Sequence, residues 1–400
     1  MRVYAAILRT PGVATILLAT LLGRLPIGIS GLAILLYVEE VSDSFAAAGV
    51  CAGALALGSA AGAPFQGRLI DRRGAGMLLP LAVAHGAGLV SIWLAGEAGA
   101  PVALLAALSL VAGASLPPVS SVLRSRWPYL LPGRPELLAG AFALDSVMIE
   151  VIFVTGPLVT TVVVATVGPQ YALIVSAASV LLGTSWMLAG LAGRPGPEQA
   201  EAGRPAFGLG ALASPGLRTL VLASMPVGFT FGTLEVVLPA FSEAEGSKEL
   251  AGVLLAAWSA ASGVSGFIWG ARGGGAPLVR AHMVFAWMLP LCVVPLLLAG
   301  SPLSMALLAI LAGLPIAPLI ASRNQLVGRV VLPGTATEAY TWPLTALVAG
   351  VSLGAAAGGA VVEASSWSAG VVLAAAVASL GAAVVLGRRG TLTQPLAVSG

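Results

Sequence analysis

Long stretches without a single charge recur from one end of the chain to the other, separated by short arginine-bearing segments. Asp, Glu, Lys and Arg together make up only 9% of the 400 residues, and 58% are hydrophobic. A soluble domain carries roughly 25% charged residues, so this chain lacks the charge to coat a water-facing globule of its length. The apolar fraction also excludes a disordered chain, and the absence of a three-residue glycine period excludes a collagen-like one. A membrane span needs about 20 apolar residues, which leaves room for about twelve spans joined by short loops. The pattern predicts an all-α integral membrane protein with twelve transmembrane helices, embedded in a lipid bilayer.

Hydropathy places the first span at 12–37, the fourth at 101–122, the fifth at 137–166, the tenth at 302–322 and the eleventh at 339–362. The first follows Arg2 and Arg9 as a signal peptide would, but it is too long for one and contains Arg24, so it reads as a retained helix. With the N-terminus inside, the inner segments collect all of the 19 Lys and Arg residues except Lys248 and Arg24. Arg124, Arg126 and Arg323 are counted among these loop residues. So strong a bias predicts a cell (inner) membrane protein with both termini cytoplasmic. The pI near 9.2 then reports topology, because the basic residues are scattered and make no nucleic-acid patch. Cys51 and Cys292 sit in apolar runs, with neither metal-ligand nor disulfide-framework spacing. No cofactor or metal is implied.

The loop at 193–214 is rich in Gly, Pro, Glu and Arg and divides the chain near its middle. Ala112-Gly113 with Pro118 recurs as Ala312-Gly313 with Pro318, and Pro26-Ile27-Gly28 recurs as Pro226-Val227-Gly228, both at an offset of 200. Gly49 and Gly67 recur as Gly252 and Gly270 at an offset of 203. The expected organisation is an N-terminal six-helix bundle at 1–192, a cytoplasmic linker at 193–214, a C-terminal six-helix bundle at 215–387 and a cytoplasmic tail at 388–400.

Between the second and third spans stands Gly67-Arg68-Leu69-Ile70-Asp71-Arg72-Arg73-Gly74. This segment resembles the signature loop of the major facilitator superfamily, and the resemblance extends over the whole two-by-six layout. It implies two pseudo-symmetric bundles that work by alternating access, with Gly67, Asp71, Arg72 and Gly74 forming a loop that latches the cytoplasmic side. The second-half counterpart, Gly270-Ala271-Arg272-Gly273-Gly274-Gly275, has lost the acid, so a weaker latch is expected there. In the fifth span, Thr155-Gly156-Pro157 resembles the Gly-Pro core of the antiporter motif of superfamily exporters, although Thr160 and Thr161 stand where that motif has further glycines. A lone Gly-Pro in a membrane helix is more often just a kink. The fourth span has Ser109 where the drug-exporter pattern carries an arginine.

Arg24 lies about 16 Å into the first span at 1.5 Å per residue, and an intramembrane arginine faces a bundle interior with a partner. At similar depth the fifth span offers Asp145 and Glu150, about 140° apart around the helix, so only one can share a face with Arg24. The expectation is that Arg24 and one of these acids form a proton-coupling pair, with Glu150, nearer the midplane, coupling and Asp145 supporting. A purely structural ion pair fits the same pattern. Glu235 is a further candidate near the outer end of the seventh span. His85 and His282 read as structural.

No zinc-protease, serine-hydrolase or nucleotide-binding motif is present in the sequence, which argues against an enzyme or an ATP-driven pump. The resemblance implies a monomeric, proton-coupled secondary transporter, with protons and a small-molecule substrate as its partners. Bent, glycine-rich helices suit a protein that rocks between states. The resemblance of Thr155-Gly156-Pro157 to the exporter motif implies efflux by antiport, and few cavity charges suit small amphipathic organic molecules. The alternatives are a proton-coupled importer of a small polar solute, or a non-transporting sensor or assembly protein that kept the fold.

Overall fold

A computed structural model describes residues 2–197, 210–246, 250–272 and 277–393. Within them, twelve helical segments are long and apolar enough to cross a bilayer. They are Val13–Ser42, Phe45–Arg73, Ala75–Glu97, Val102–Leu130, Glu136–Val167 and Pro169–Leu191 in the first half. The second half has Pro215–Ala244, Ala251–Ala271, Leu278–Leu298, Pro302–Val330, Ala336–Ala364 and Trp367–Gly387. Most of the 193–214 linker, residues 394–400 of the tail and Gly273–Gly275 lie outside the described residues.

Helices break near proline in three spans, at Pro26, at Pro117 and Pro118, and at Pro315, whereas Pro157, Pro226, Pro318 and Pro343 lie inside continuous helices. The first span is a helix over Val13–Arg24 followed by one over Pro26–Ser42. The fourth is Val102–Ala114 and then Val119–Leu130, interrupted around Pro117 and Pro118. The tenth is Pro302–Gly313 and then Ile316–Val330. The hydropathy boundaries of the fourth and tenth spans are therefore too short. Past the break the fourth span carries Arg124, Arg126 and three serines, which end an apolar run. Yet Val119, Val122, Leu123, Trp127 and Leu130 continue a buried helical face. The eleventh span likewise begins earlier than expected, at Ala336. Arg124 and Arg323, read from sequence as loop residues, are buried inside these extensions.

The internal repeat reappears as repeated packing. A Cβ on Gly113 would overlap the carbonyl oxygen of Leu55, and one on Gly313 would overlap that of Trp258. These two pairs are related by the offsets read in the sequence, 200 for the glycines and 203 for their neighbours. Lipid supplies no hydrophobic force between helices, so such close backbone approach is what holds spans together.

Three hydrophobic clusters divide the interior. One, running from Ile29 to Ala177, belongs entirely to the first half, and another, from Phe231 to Ala382, belongs to the second. The third combines Ile7, Leu123, Trp127 and Phe142 with Leu217, Leu326, Val330 and Tyr340. It joins the halves on the side that bears the chain termini.

Glycines on the second and eighth spans show what happens on the other side. Gly49 and Gly67 are eighteen residues, or about five turns, apart and so lie on one helix face. A Cβ on Gly67 would meet the Glu338 backbone of the other half, whereas one on Gly49 would meet nothing within 4 Å. Their repeat counterparts behave alike: Gly270 abuts Ala143 and Tyr4, and nothing lies within 4 Å of a Cβ on Gly252. The two halves meet at the terminus-bearing side and diverge toward the opposite one.

Candidate functional site

The terminus-side closure is built from the signature loop. Asp71 ends the second span with its carboxylate aimed at the first turn of the eleventh: Oδ1 accepts the Thr337 N–H at 2.7 Å and Oδ2 the Glu338 N–H at 2.8 Å. A helix N-terminus presents unsatisfied donors and a positive dipole end, so a carboxylate there is both a cap and a charge complement. Arg68 completes the junction with a two-pronged contact to Glu338, Nε to Oε2 at 3.2 Å and Nη2 to Oε1 at 2.7 Å. The Trp342 indole N–H also donates to Glu338, at 3.2 Å. Higher up, the Thr345 hydroxyl donates to the Ala60 carbonyl at 3.1 Å. Arg72 is half-buried in the last turn. Gly74 closes the helix at φ +89°, a backbone region that favours glycine.

The symmetry-related junction, between the fifth and eighth spans, lacks the acid. A different element fills in. The amphipathic helix Arg2–Arg9 lies across this junction with Tyr4 and Ile7 buried. The Tyr4 ring stacks on Phe267 at 4.4 Å, and its hydroxyl donates to the Phe267 carbonyl at 2.7 Å. Burial pushes the Tyr4 phenol up to about 12, which keeps it a donor.

Below the closure lies the charge cluster. Asp145 is fully buried and divides its carboxylate between two arginines: Oδ1 accepts from Arg24 Nη2 at 2.5 Å and Oδ2 from Arg124 Nε at 2.6 Å. Arg24 sits in the last turn before the break at Pro26, and Arg124 two turns past the break at Pro118. Arg323, on the tenth span, donates to Ser224 Oγ at 3.2 Å and Asn324 Oδ1 at 3.3 Å. Ser224 occupies the position that corresponds to Arg24 at the 200-residue offset, and Thr345 the one that corresponds to Asp145. The second half thus keeps an arginine but no acid for it.

Of the two fifth-span acids, Asp145 is the one placed against Arg24. Glu150 is half-buried and makes no ion pair or hydrogen bond among the described residues, and exposed Glu235 makes none either. Gly156 packs backbone to backbone on Gly28, where a Cβ would come within 2.6 Å of the Gly28 Cα. The helix Pro135–Val167 runs unbroken through Pro157. His85 Nδ1 lies 2.8 Å from the Ala112 carbonyl and His282 Nδ1 3.0 Å from the Ser322 hydroxyl.

Sequence reasoning missed Tyr4, Arg124, Arg323 and Glu338. For Arg124 a signal existed: the apolar positions Val119, Val122, Leu123, Trp127 and Leu130 keep helical spacing through the arginines. For Glu338 and Tyr4 there was none, since their partners lie on distant segments.

No protein-family model matches the sequence, and no curated protein sequence matches it. Solved structures do match in fold. A bacterial homologue of the iron transporter ferroportin, in an outward-facing state, is 14% identical with a TM-score of 0.78, over 94% of this chain and 99% of that one. The E. coli fucose:proton symporter FucP is 13% identical with a TM-score of 0.71, over 96% and 99%. The human organic anion transporter MFSD10 (TETRAN) is 15% identical with a TM-score of 0.68, over 93% and 98%. The chain has the twelve-helix fold of the major facilitator transporters, as the resemblance of Gly67–Gly74 implied.

Proposed function

We propose that the chain is a secondary active transporter in which two six-helix halves alternate access to a central site. The observation that carries this is the asymmetry of the paired glycines: Gly67 and Gly270 are packed against the opposite half, while Gly49 and Gly252, five turns away on the same faces, have open space. A rigid bundle would pack both ends. The outward-facing state named for the ferroportin homologue fits the same geometry once the termini are cytoplasmic, the orientation that the Lys/Arg bias favours. The protein is taken as a monomer in the cell (inner) membrane.

The direction we favour is proton-coupled export of small amphipathic organic molecules. Of the two fifth-span acids, Glu150 is the one without a partner among the described residues, so it can gain and lose a proton without dismantling a buried pair. Asp145, held by two arginines, supports Arg24 instead. Import is the competing direction, in keeping with a fucose:proton symporter among the similar structures. Inverted vesicles with acid imposed inside and right-side-out vesicles with acid imposed outside, tested with a panel of fluorescent amphipaths, separate the readings. Uncoupler-sensitive accumulation supports export, accumulation only in right-side-out vesicles supports import, and no gradient-driven flux in either removes the transporter reading.

A further inference from the structure

Of three buried cations, two share one carboxylate and the third has no acid against it among the described residues. Arg24, Arg124 and Arg323 are 1%, 4% and 6% exposed. Asp145 uses both oxygens on the first two, and among the described residues Arg323 bonds to the neutral Ser224 and Asn324 side chains. Arg124 and Arg323 lie within electrostatic reach of each other across the interface between the halves. Charge left unpaired in an apolar interior is costly, and it persists where something else supplies the compensation.

The polar atoms left over point to what that is. Nε and Nη1 of Arg24, Nη1 of Arg124, Nε of Arg323 and Nδ2 of Asn324, with the hydroxyls of Thr20 and Ser121 nearby in sequence, are buried without a hydrogen-bond partner among the described residues. Each of the five nitrogens is a donor, all but one sit on a cation, and they come from the first, fourth and tenth spans. Forked guanidinium donors match the paired oxygens of an oxyanion. Beside Arg323 a void of about 20 Å³, bordered by second-half residues among them Ser224, His282, Leu319 and Ala382 and not by Arg24 or Arg124, has room for about one water-sized polar group.

We propose that Arg24, Arg124 and Arg323 together bind the oxyanion head (carboxylate or sulfonate) of the carried molecule, which is therefore an amphipathic organic anion. Arg124 and Arg323 lie six and seven residues from the terminus-side ends of their helices, about 9–10 Å. The Asp71 and Tyr4 closures stand on the same side. The head group reaches the cluster from the terminus side when those closures open, which is the loading direction of an exporter. Loading rests on the transporter reading; the binding chemistry rests on the donors alone.

The test is thermal stabilisation of the purified full-length protein in detergent. The probes are benzoate, benzenesulfonate, the uncharged isostere benzamide and inorganic sulfate. Benzoate and benzenesulfonate are expected to raise Tm in a saturable way, with benzamide inactive. Arg323→Gln should weaken apparent benzoate affinity at least tenfold, and Arg323→Lys by less. Removing an unpaired buried charge leaves the ligand-free Tm at or above wild type, which separates lost binding from misfolding. Asp71→Asn, by loosening the closure, should tighten apparent affinity, because less binding energy goes into opening it.

No stabilisation of wild type by either organic anion, or stabilisation unchanged in Arg323→Gln, overturns the proposal. Equal stabilisation by sulfate and benzenesulfonate overturns the head-group assignment and leaves a free-anion site. A cross-link between Ala60→Cys and Thr345→Cys, made in the same protein, distinguishes the two levels. If Asp71→Asn lowers its yield while no anion binds, only the anion inference fails. If the yield never changes, alternating access fails too.

Discussion

Gly67 lies directly against the backbone of Glu338: a Cβ at position 67 would stand 2.8 Å from the Glu338 Cα and 3.0 Å from its nitrogen. Two helices from opposite halves therefore touch backbone to backbone, and this brings the Asp71 carboxylate within reach of the Thr337 and Glu338 N–H groups. The contact is steric first and electrostatic second.

Gly67→Ala should hold the second and eleventh spans apart and open the terminus side, even with Asp71 intact. A shift of 1.4 kcal/mol, well within the cost of overpacking, changes a two-state ratio about tenfold. The measurement is cross-linking between Ala60→Cys and Thr345→Cys. An undiminished yield in Gly67→Ala would show that the junction tolerates the methyl group.

The two fifth-span acids should separate when each is replaced by its amide. Asp145→Asn strands two buried arginines and should cost about 3–5 kcal/mol, seen as a large fall in Tm and yield. Glu150→Gln disturbs no pair, and its stability should change by no more than about 0.5 kcal/mol. Its expected defect is functional: loss of gradient-driven flux in vesicles with substrate exchange retained. Wild-type uphill transport by Glu150→Gln would remove Glu150 as the coupling acid and make Glu235 the next to test.

Tyr4→Phe should loosen the junction between the fifth and eighth spans by about 0.5–1.5 kcal/mol, the net worth of one hydrogen bond. Its readout is raised thiol accessibility at Ala143→Cys, which lies under Gly270. Because burial raises the Tyr4 phenol from 10.0 to about 12, the neutral donor is favoured in the closed state. Its contribution is complete below pH 10 and falls as pH rises toward 12. Accessibility at Ala143→Cys with Tyr4 intact, corrected for ionisation of the introduced thiol (pKa about 8.5), should therefore stay flat up to about pH 10, and any other change near neutral pH would have to come from another group.

Orientation can be read from two exposed loops. A membrane-impermeant thiol reagent applied to intact cells should label Ala98→Cys and leave Pro132→Cys untouched. The reverse pattern would invert the topology, and with it the side from which the charge cluster is loaded. Tags at Gly203 and Gly400, expected inside, and near Ser247, expected outside, extend the same test to segments outside the described residues.

What the sequence by itself determined is everything that depends on averages along the chain. A window of apolar residues needs lipid as its solvent, whatever its neighbours are, so twelve spans and their common fold were legible. Repeat spacing carried the pseudo-symmetry, down to Gly49 with Gly67 and Gly252 with Gly270. Only the tertiary structure decided which charges are buried and with whom. Arg124 and Arg323 look like loop residues because an averaging window registers an arginine as a break. They are held inside because Asp145, Ser224 and Asn324 meet them there, from positions 21, 99 and one residue away. Asp71 found its partners 266 and 267 residues along the chain. A lone sequence records no such separation, since pairing energy depends on distance in space, and that distance exists only once the two halves have closed.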